Sequence, residues 1–458
     1  MKLFNTLTKQ IEPLNPINAP QVTIYTCGPT VYDYPHVGNW YTFIRYDLLV
    51  RTLLESGYEP NWVMNITDVG HLTSDSDDGE DKLARRATKD GQTAWDIAQY
   101  YTDYFKQALI RLNFIMPQQL PKATDHIEQQ LNLIKILETK GYTYLIDDGV
   151  YYDTSKFPTY SDFAKLDIDE QQTGTRIEAN QQKRNPADFA LWKFSPISSQ
   201  RDMEWDSPWG KGFPGWHIEC SAMCLHYLGE TVDIHSGGID HIPVHHTNEI
   251  AQSQAITNKP LANIWMHTNH ILINDEKISK SLGNGITLED IKQNNISLEA
   301  LRLQVLESHY RSQSKFSWES LQAAQTRLLR YKNFAVLRFQ VTDINLPTQS
   351  LDILTAMQDD LNTPGALLIV EKFMDQGNAG QLNHQSIVTA IELIDRLFGL
   401  DLMKQSDISQ KLKTLIEQRE QARDQNNWLL ADEIRSTLMS HNIGLRDEAN
   451  GPIWYYLS

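Results

Sequence analysis

The sequence predicts an α/β protein in which a parallel sheet is followed by an all-α C-terminal region. Three observations carry this reading. A strand–helix–strand unit is legible between Val22 and Ile66, strand–loop–helix patterning returns over 201–256, and from about Ser297 onward almost no strand pattern remains. Apolar residues at every second position mark a half-buried strand, whereas recurrence at three and four positions marks a helix.

The first unit is the most legible. Val22 to Thr26 alternates apolar and polar residues, and Cys27-Gly28-Pro29 ends the alternation. Pro35 and His36 stand where a helix would open, since proline suits the first helical position. Ile44, Leu48, Leu49 and Leu53 form the apolar side of a helix to about Ser56, Gly57 stops it, and Trp62 to Ile66 is the next strand. In an open parallel sheet, ligands bind at the carboxyl ends of the strands. Backbone N–H groups at a helix start also attract phosphate. A thiol, Cys27, and an imidazole, His36, therefore sit where a ligand is expected.

Further along, Ser74 to Asp81 reads as a solvated acidic loop, and helical patterning covers Thr93 to Leu112. A helix is expected near Ile127 to Lys140, a strand at Gly149 to Tyr152, another at Thr231 to His235, and a strand-like run from Ile264 to Ile273. Leu430, Ile434 and Leu438 make a helical stripe within a terminal helix read as Ile416 to Leu438. These patterns divide the chain into residues 1–116 and 201–260 as two halves of one α/β domain, with 117–200 inserted between them. Residues 261–300 form a loop and linker, 301–404 a helical bundle and 405–458 a small terminal domain.

Composition narrows the class. A chain of 458 residues is too long for one core, and 41% apolar with 22% charged residues is the balance of a globular protein. No apolar run reaches membrane-spanning length, and the start has no signal-peptide anatomy, so no membrane association is expected. Three cysteines do not make a disulfide framework in a chain this long, which points to a reducing, cytoplasmic setting. A net charge of −17 argues against a general nucleic-acid coat but not against a local basic site. Such a stretch runs from Arg302 to Arg338, with Arg311, Lys315, Arg327, Arg330 and Lys332, interleaved with Tyr310, Trp318 and Tyr331. Basic groups neutralise phosphates and aromatic rings stack on bases; a helix with a solvated basic face has the same composition.

Two groups of residues point to chemistry. Cys27, Cys220, His245 and Glu249 combine soft, borderline and hard ligands, and His245 and Glu249 are spaced to share a helix face. Such a mixed set suits tetrahedral Zn2+. Cys224, one turn beyond Cys220, could replace Cys27, or each cysteine could be a small buried hydrophobe. The second group is Lys277-Ile278-Ser279-Lys280-Ser281, whose two lysines suit a polyphosphate leaving group, although a solvated basic loop reads the same. Gly237-Gly238-Ile239-Asp240 adds a close-approach loop with a carboxylate that could hold a ribose or an ammonium group.

Taken together, these motifs resemble the class I aminoacyl-tRNA synthetases, and among them the cysteinyl-tRNA synthetase family. His36-Val37-Gly38-Asn39 is similar to the signature His-Ile-Gly-His, with Asn39 in place of the second histidine, and Lys277 to Ser281 is similar to Lys-Met-Ser-Lys-Ser. Lys183 to Lys193, Ser207-Pro208-Trp209-Gly210, His309 to Ser312 and Asp359 to Pro364 also resemble that family, so the likeness spans nearly the whole chain. The resemblance implies a class I Rossmann-like catalytic domain and a monomer that joins cysteine to tRNA(Cys) with ATP, one Zn2+ per chain and Mg2+ carried by the ATP. It implies His36, Lys277 and Lys280 as catalytic residues and His36, Gly38, Asn39, Lys277, Ser279, Lys280 and Ser281 at the ATP. Thr67, Trp216 and Asp240 are implied at the amino acid, and Cys27, Cys220, His245 and Glu249 at the metal. The bundle is implied to contact tRNA and residues 405–458 to read the anticodon, with Trp428 or Trp454 as stacking platforms.

Overall fold

The structure, a computed structural model, describes residues 1–70, 82–164, 182–196, 201–273, 276–277, 285–341, 346–448 and 451–458. The acidic stretch Ser74 to Asp81 and the expected site residues Ser279, Lys280 and Ser281 lie outside the described residues. The chain divides into two compact units. One comprises Met1–Leu288 with Tyr310–Lys315 and Gln358–Leu361; the other comprises Glu289–His309, Phe316–Met357 and Asn362–Ser458.

The first unit opens with a hairpin, β1 (Lys2–Asn5) and β2 (Gln10–Pro13). The expected strand–helix–strand unit follows as β3 (Gln21–Thr26), α1 (Val37–Glu55) and β4 (Glu59–Met64). Trp40, Ile44, Leu48, Leu49 and Leu53 of α1 are buried, but so are Arg45, Asp47 and Arg51 on other faces. This helix is therefore covered nearly all round rather than along one stripe. Two helices, α2 (Lys82–Asp90) and α3 (Ala94–Arg111), come next, and α3, expected over Thr93 to Leu112, is capped by Thr93. Beyond them, Gln119 and Lys122 bridge Val63 and Ile66 in parallel, so residues 119–122 belong to the edge of the central sheet.

The insertion contributes α4 (Ile127–Thr139), β5 (Thr143–Ile146), β6 (Gly149–Tyr152), β7 (Phe189–Phe194) and β8 (Gly212–Pro214). These four strands form their own antiparallel sheet, which β8 completes beyond the expected end of the insertion at 200. Its buried Asp188 accepts from the Tyr144 hydroxyl (2.7 Å) and from the Thr154 and Asn185 amides (2.8 and 2.9 Å), pinning the strands to their connections.

The chain then returns through α5 (Trp216–Leu228), β9 (Val232–Gly238), α6 (Thr247–Thr257) and β10 (Ala262–Thr268). The central sheet has the order β10-β9-β3-β4 and is parallel throughout. Its register sets Thr26 beside Ser236 and Met64, and His267 beside Gly237. Cys27, Asn65, Gly238 and Thr268 thus meet at the carboxyl edge. At Gly28 this edge leaves no room for a side chain, because a Cβ there would fall 1.8 Å from the Asn65 carbonyl oxygen. The run Ile264 to Ile273, read as one strand, is two. After β10, residues Asn269 and His270 break the ladder, and β11 (Ile271–Ile273) pairs antiparallel with β12 (Glu276–Lys277) and also borders β13 (Ser314–Phe316).

The second unit is helical, from α7 (Leu288–Gln293, mostly within it) through α8 (Leu298–Leu306), α9 (Trp318–Val336), α10 (Leu354–Gln358), α11 (Thr363–Asn378) and α12 (His384–Phe398). Two expectations fail in the last stretch of this unit. The helix read as Ile416 to Leu438 is a pair, α13 (Gln410–Asp424) and α14 (Trp428–Ser440), broken where Asn426 takes a left-handed φ of 56°. The end of the chain is not all-α: β14 (Ile443–Glu448) and β15 (Gly451–Tyr456) form an antiparallel hairpin. Ile434, Leu438, Ile443, Leu445 and Trp454 share a core with Val336 of α9, whereas Leu430 is turned outward, 42% exposed.

Candidate active site

Four elements deliver four ligand groups to one point. Cys27 follows β3, Cys220 lies in α5, His245 is the penultimate residue of a π-turn over Ile242–His246, and Glu249 lies in the first turn of α6. All four are buried, and their ligand atoms lie within 4.8 Å of one another. The helical spacing read from the sequence survives the π-turn, with His245 Nε2 3.0 Å from Glu249 Oε1. Ligand atoms around a tetrahedral zinc at ~2.0–2.3 Å stand roughly 3.3–3.8 Å apart, and the set, gathered within 4.8 Å with its closest pair at 3.0 Å, brackets that spacing. Cys224 is not part of the cluster; it is fully buried in the apolar core with Met223 and Leu261, and burial pushes its thiol well up.

The neighbours of these groups set their charge and direction. The Cys27 hydrogen bond brings the Cys220 thiol down to about 7 against burial, while burial and Cys220 push Cys27 up. Burial alone would lower His245, but Glu249 and Cys220 carry it to about 10. Burial would likewise raise Glu249, yet His235 and His245 hold it well below the usual carboxylate range. His235 Nε2 holds Glu249 Oε2 at 3.0 Å, and His217 Nδ1 lies 2.9 Å from His245 Nδ1, which leaves Oε1 and Nε2 directed at each other. His246 Nε2 stands 3.3 Å from Cys27 Sγ, with its Nδ1 2.7 Å from His267 Nε2. Partners of this kind orient metal ligands and fix their tautomers. The sequence does not mark His217, His235, His246 and His267 as site residues. An isolated histidine in a strand or helix has no spacing signal; His246 beside His245 was the one available clue.

A cavity of about 150 Å³ lies at the same sheet edge, lined by His36, Gly38, Asn39, Thr42, Gly238, Asp240, Thr268, Asn269, His270 and Ile271. His36 is the N-cap of α1. Its Nδ1 accepts from the Asn39 amide (3.3 Å), and Asn39 Oδ1 accepts from the His36 amide (3.1 Å). The residue that departs from the signature therefore closes a capping box. A Cβ on Gly38 would stand 3.0 Å from the His36 ring and 3.1 Å from Ile271, so glycine leaves the helix start open. The Val37 amide donates to the Ile286 carbonyl (2.7 Å), which returns the chain from the Lys-Ile-Ser-Lys-Ser segment to this helix. The backbone of Lys277 is placed opposite Leu272 in the β11–β12 pair.

Of the expected amino-acid contacts, Trp216 lies against His245 with ring centroids 4.5 Å apart, and the buried Thr67 hydroxyl accepts from the Asn65 side-chain amide at 3.1 Å. Asp240 lines the cavity with His36, one residue before His241, whose imidazole burial brings down to about 4.

Known proteins resemble the chain along its length. Residues 13–326 match the family of tRNA synthetases class I (C) catalytic domain. The chain is 40% identical to the cysteine–tRNA ligase of Treponema denticola, covering 99% of both proteins. It belongs to the cysteine–tRNA ligase family. Cysteine–tRNA ligase 1 of Burkholderia lata is 42% identical, with 98% of this chain and 96% of that protein covered. Among solved structures, Mycobacterium tuberculosis methionyl-tRNA synthetase in complex with methionyl-adenylate has the same fold, with a TM-score of 0.60 at 15% identity over 84% of this chain and 92% of that one. A LeuRS of Agrobacterium radiobacter K84 in a ternary complex with tRNA and LeuAMS also scores 0.60, at 12% identity and 86% of each chain. Among the described residues no helix is long and apolar enough to cross a membrane.

The basic stretch reads differently in this family member than in its sequence. Arg302 is buried and donates from Nε to the Phe398 carbonyl (2.9 Å), so it closes the bundle rather than facing a ligand. Arg327 pairs with Glu307 (2.7 Å) and Glu371 (3.3 Å), and Arg338 caps the Ala335, Met403 and Gln405 carbonyls. Arg311 pairs with Asp360 at 2.7 Å. Tyr310, Tyr331 and Trp454 are buried and offer no stacking face, whereas Trp428 is 56% exposed.

Proposed function

We propose that this ligase activates cysteine with ATP and transfers it to the 3′ end of tRNA(Cys), selecting its substrate through a zinc held by Cys27, Cys220, His245 and Glu249. The observation that carries the reading is the burial of these four groups at the sheet edge that also carries the His36–Asp240 cavity. When bound, a zinc there supplies an acceptor for the substrate thiolate that the harder, less acidic hydroxyl of serine cannot match. An apolar pocket alone would separate such similar side chains by only about 10–200-fold.

The chain's own residues do the rest. Trp216, packed on His245, forms a wall of the amino-acid pocket, with Thr67 beside it and Asp240 as the acceptor for the substrate ammonium. In the first step a carboxylate oxygen of cysteine bonds to the α-phosphorus and the bond to pyrophosphate breaks. His36 and the N-terminus of α1 steady the α-phosphate, with Gly38 and Asn39 shaping the approach. Lys277, Ser279, Lys280 and Ser281 receive the pyrophosphate, with Mg2+ arriving on the ATP. In the second step a hydroxyl of the terminal ribose attacks the carbonyl carbon and AMP leaves. Residues 405–458 read the anticodon, with Trp428 as the exposed platform. The reading includes a cytoplasmic setting, which the three free cysteines motivate, and, from the family resemblance, a monomer.

Cysteine-dependent pyrophosphate exchange tests the proposal. The protein should catalyse it without tRNA, and removal of metal should abolish it while ATP still binds. Equal exchange with serine and cysteine in the metal-loaded protein would reject the zinc-based selection.

A further inference from the structure

One surface feature takes no part in the chemistry above. Tyr34, on the loop between β3 and α1, meets three tyrosines of α3. Its hydroxyl is 2.7 Å from that of Tyr100, and its ring stands edge-on to Tyr101 and Tyr104 at 5.0 and 4.6 Å. An aromatic cluster at helical spacing is ordinarily core, and Tyr101, 2% exposed, is core here. Tyr100 is not: it is 54% exposed. Its hydroxyl is satisfied within the cluster, so the ring is held in place while about half of the residue stays open to a stacking partner. Two guanidinium groups flank the group, Arg111 over Tyr104 (5.4 Å) and Arg86 over Tyr101 (5.6 Å). Arg86 is engaged by Asp33 and Asp90, so the local charge is close to balanced.

Position suggests the occupant. Tyr34 is two residues from His36, so their Cα atoms stand at most roughly 7 Å apart, and His36 lines the cavity. Transfer to tRNA requires the unpaired 3′ end to come to that cavity from outside. Unpaired bases of any sequence are held by stacking on exposed aromatic faces. Resting on the functional reading above, we infer that Tyr100, braced by Tyr34 and with Tyr104 beside it, is a stacking platform that guides the unpaired 3′ end of the tRNA into the cavity. Balanced charge makes this a stacking contact, not a phosphate grip.

The test is Tyr100→Ala in the full chain, with Tyr100→Phe as its conservative partner. Pyrophosphate exchange with cysteine should be unchanged in both, which separates this proposal from the functional reading: wild-type protein without exchange would defeat that reading instead. Tyr100→Ala should lower kcat/KM for tRNA by about 5- to 150-fold, the range of one lost base stack. The salt dependence of charging should stay as it is, and Tyr100→Phe should restore most of the rate. A tRNA trimmed of its unpaired 3′ nucleotides should bind wild type and Tyr100→Ala equally. Wild-type charging by Tyr100→Ala, an equal loss in Tyr100→Phe, or weaker binding of trimmed tRNA by Tyr100→Ala would each overturn the inference.

Discussion

Replacing Asn39 by alanine separates two roles that the position could have. Its Oδ1 accepts one hydrogen bond, 3.1 Å from the His36 amide, while the reciprocal bond to His36 Nδ1 comes from its own backbone and survives the substitution. Losing one side-chain half of a capping box costs about 1 kcal/mol. In a unit of this size that is a fall in Tm of about 2 °C. His36 keeps its backbone partner, so its aim at the cavity is largely retained. If the whole cost fell on the transition state it would slow adenylation about fivefold. His36→Ala, in contrast, removes both the cap and the imidazole and should slow adenylation by about 100-fold or more. Asn39→Asp keeps the acceptor and adds a charge that suits a helix N-terminus, so its Tm should be at least that of wild type while the KM for ATP rises. Thermal unfolding and pyrophosphate exchange measured on the same preparations check all three. Asn39→Ala with an unchanged Tm and a 100-fold loss of rate would refute the capping argument and make the side chain a direct substrate contact.

Other expectations are simpler. Cys220→Ala should lose its metal on dialysis and Cys224→Ala should keep it, read by metal analysis; the reverse would exchange the roles assigned to the two thiols. Lys280→Ala should slow adenylation by orders of magnitude with cysteine affinity intact, measured by single-turnover kinetics and equilibrium binding. Trp428→Ala, at an exposed position, should leave Tm and pyrophosphate exchange unchanged and weaken charging of tRNA(Cys) by about 5- to 150-fold, which aminoacylation assays check. Gly28→Ala should fold poorly or lose its metal, because its Cβ would meet the Asn65 backbone next to Cys27; circular dichroism and metal analysis would show it.

The legible parts of the molecule were those in which one local rule decides the outcome. The alternation in Val22 to Thr26 and the spacing in α1 placed Cys27 and His36 at the sheet edge, and the i,i+4 relation placed His245 against Glu249. Cys27 and Cys224 could not be separated without the sheet register, which alone brings the end of β3 to α5 and α6. The terminal hairpin was hidden because β14 ends in Arg446-Asp447-Glu448 and β15 begins with Gly451-Pro452, a polar strand meeting a turn-like one. Arg302, Arg327 and Arg338 read as a basic surface because a one-dimensional sum of charge does not reveal that Phe398, Glu307, Glu371 and backbone carbonyls take them up. Trp454 looked like a platform for the same reason that it is core, a large ring near a chain end, and only its burial distinguishes the two.

X-ray absorption at the zinc edge, recorded on the full-length protein before and after adding cysteine, tests the central claim most directly. The account predicts two sulfur ligands with nitrogen and oxygen in the free protein, a third sulfur when cysteine is added, and no change with serine. Absence of zinc, or a sulfur count that cysteine leaves at two, would contradict it.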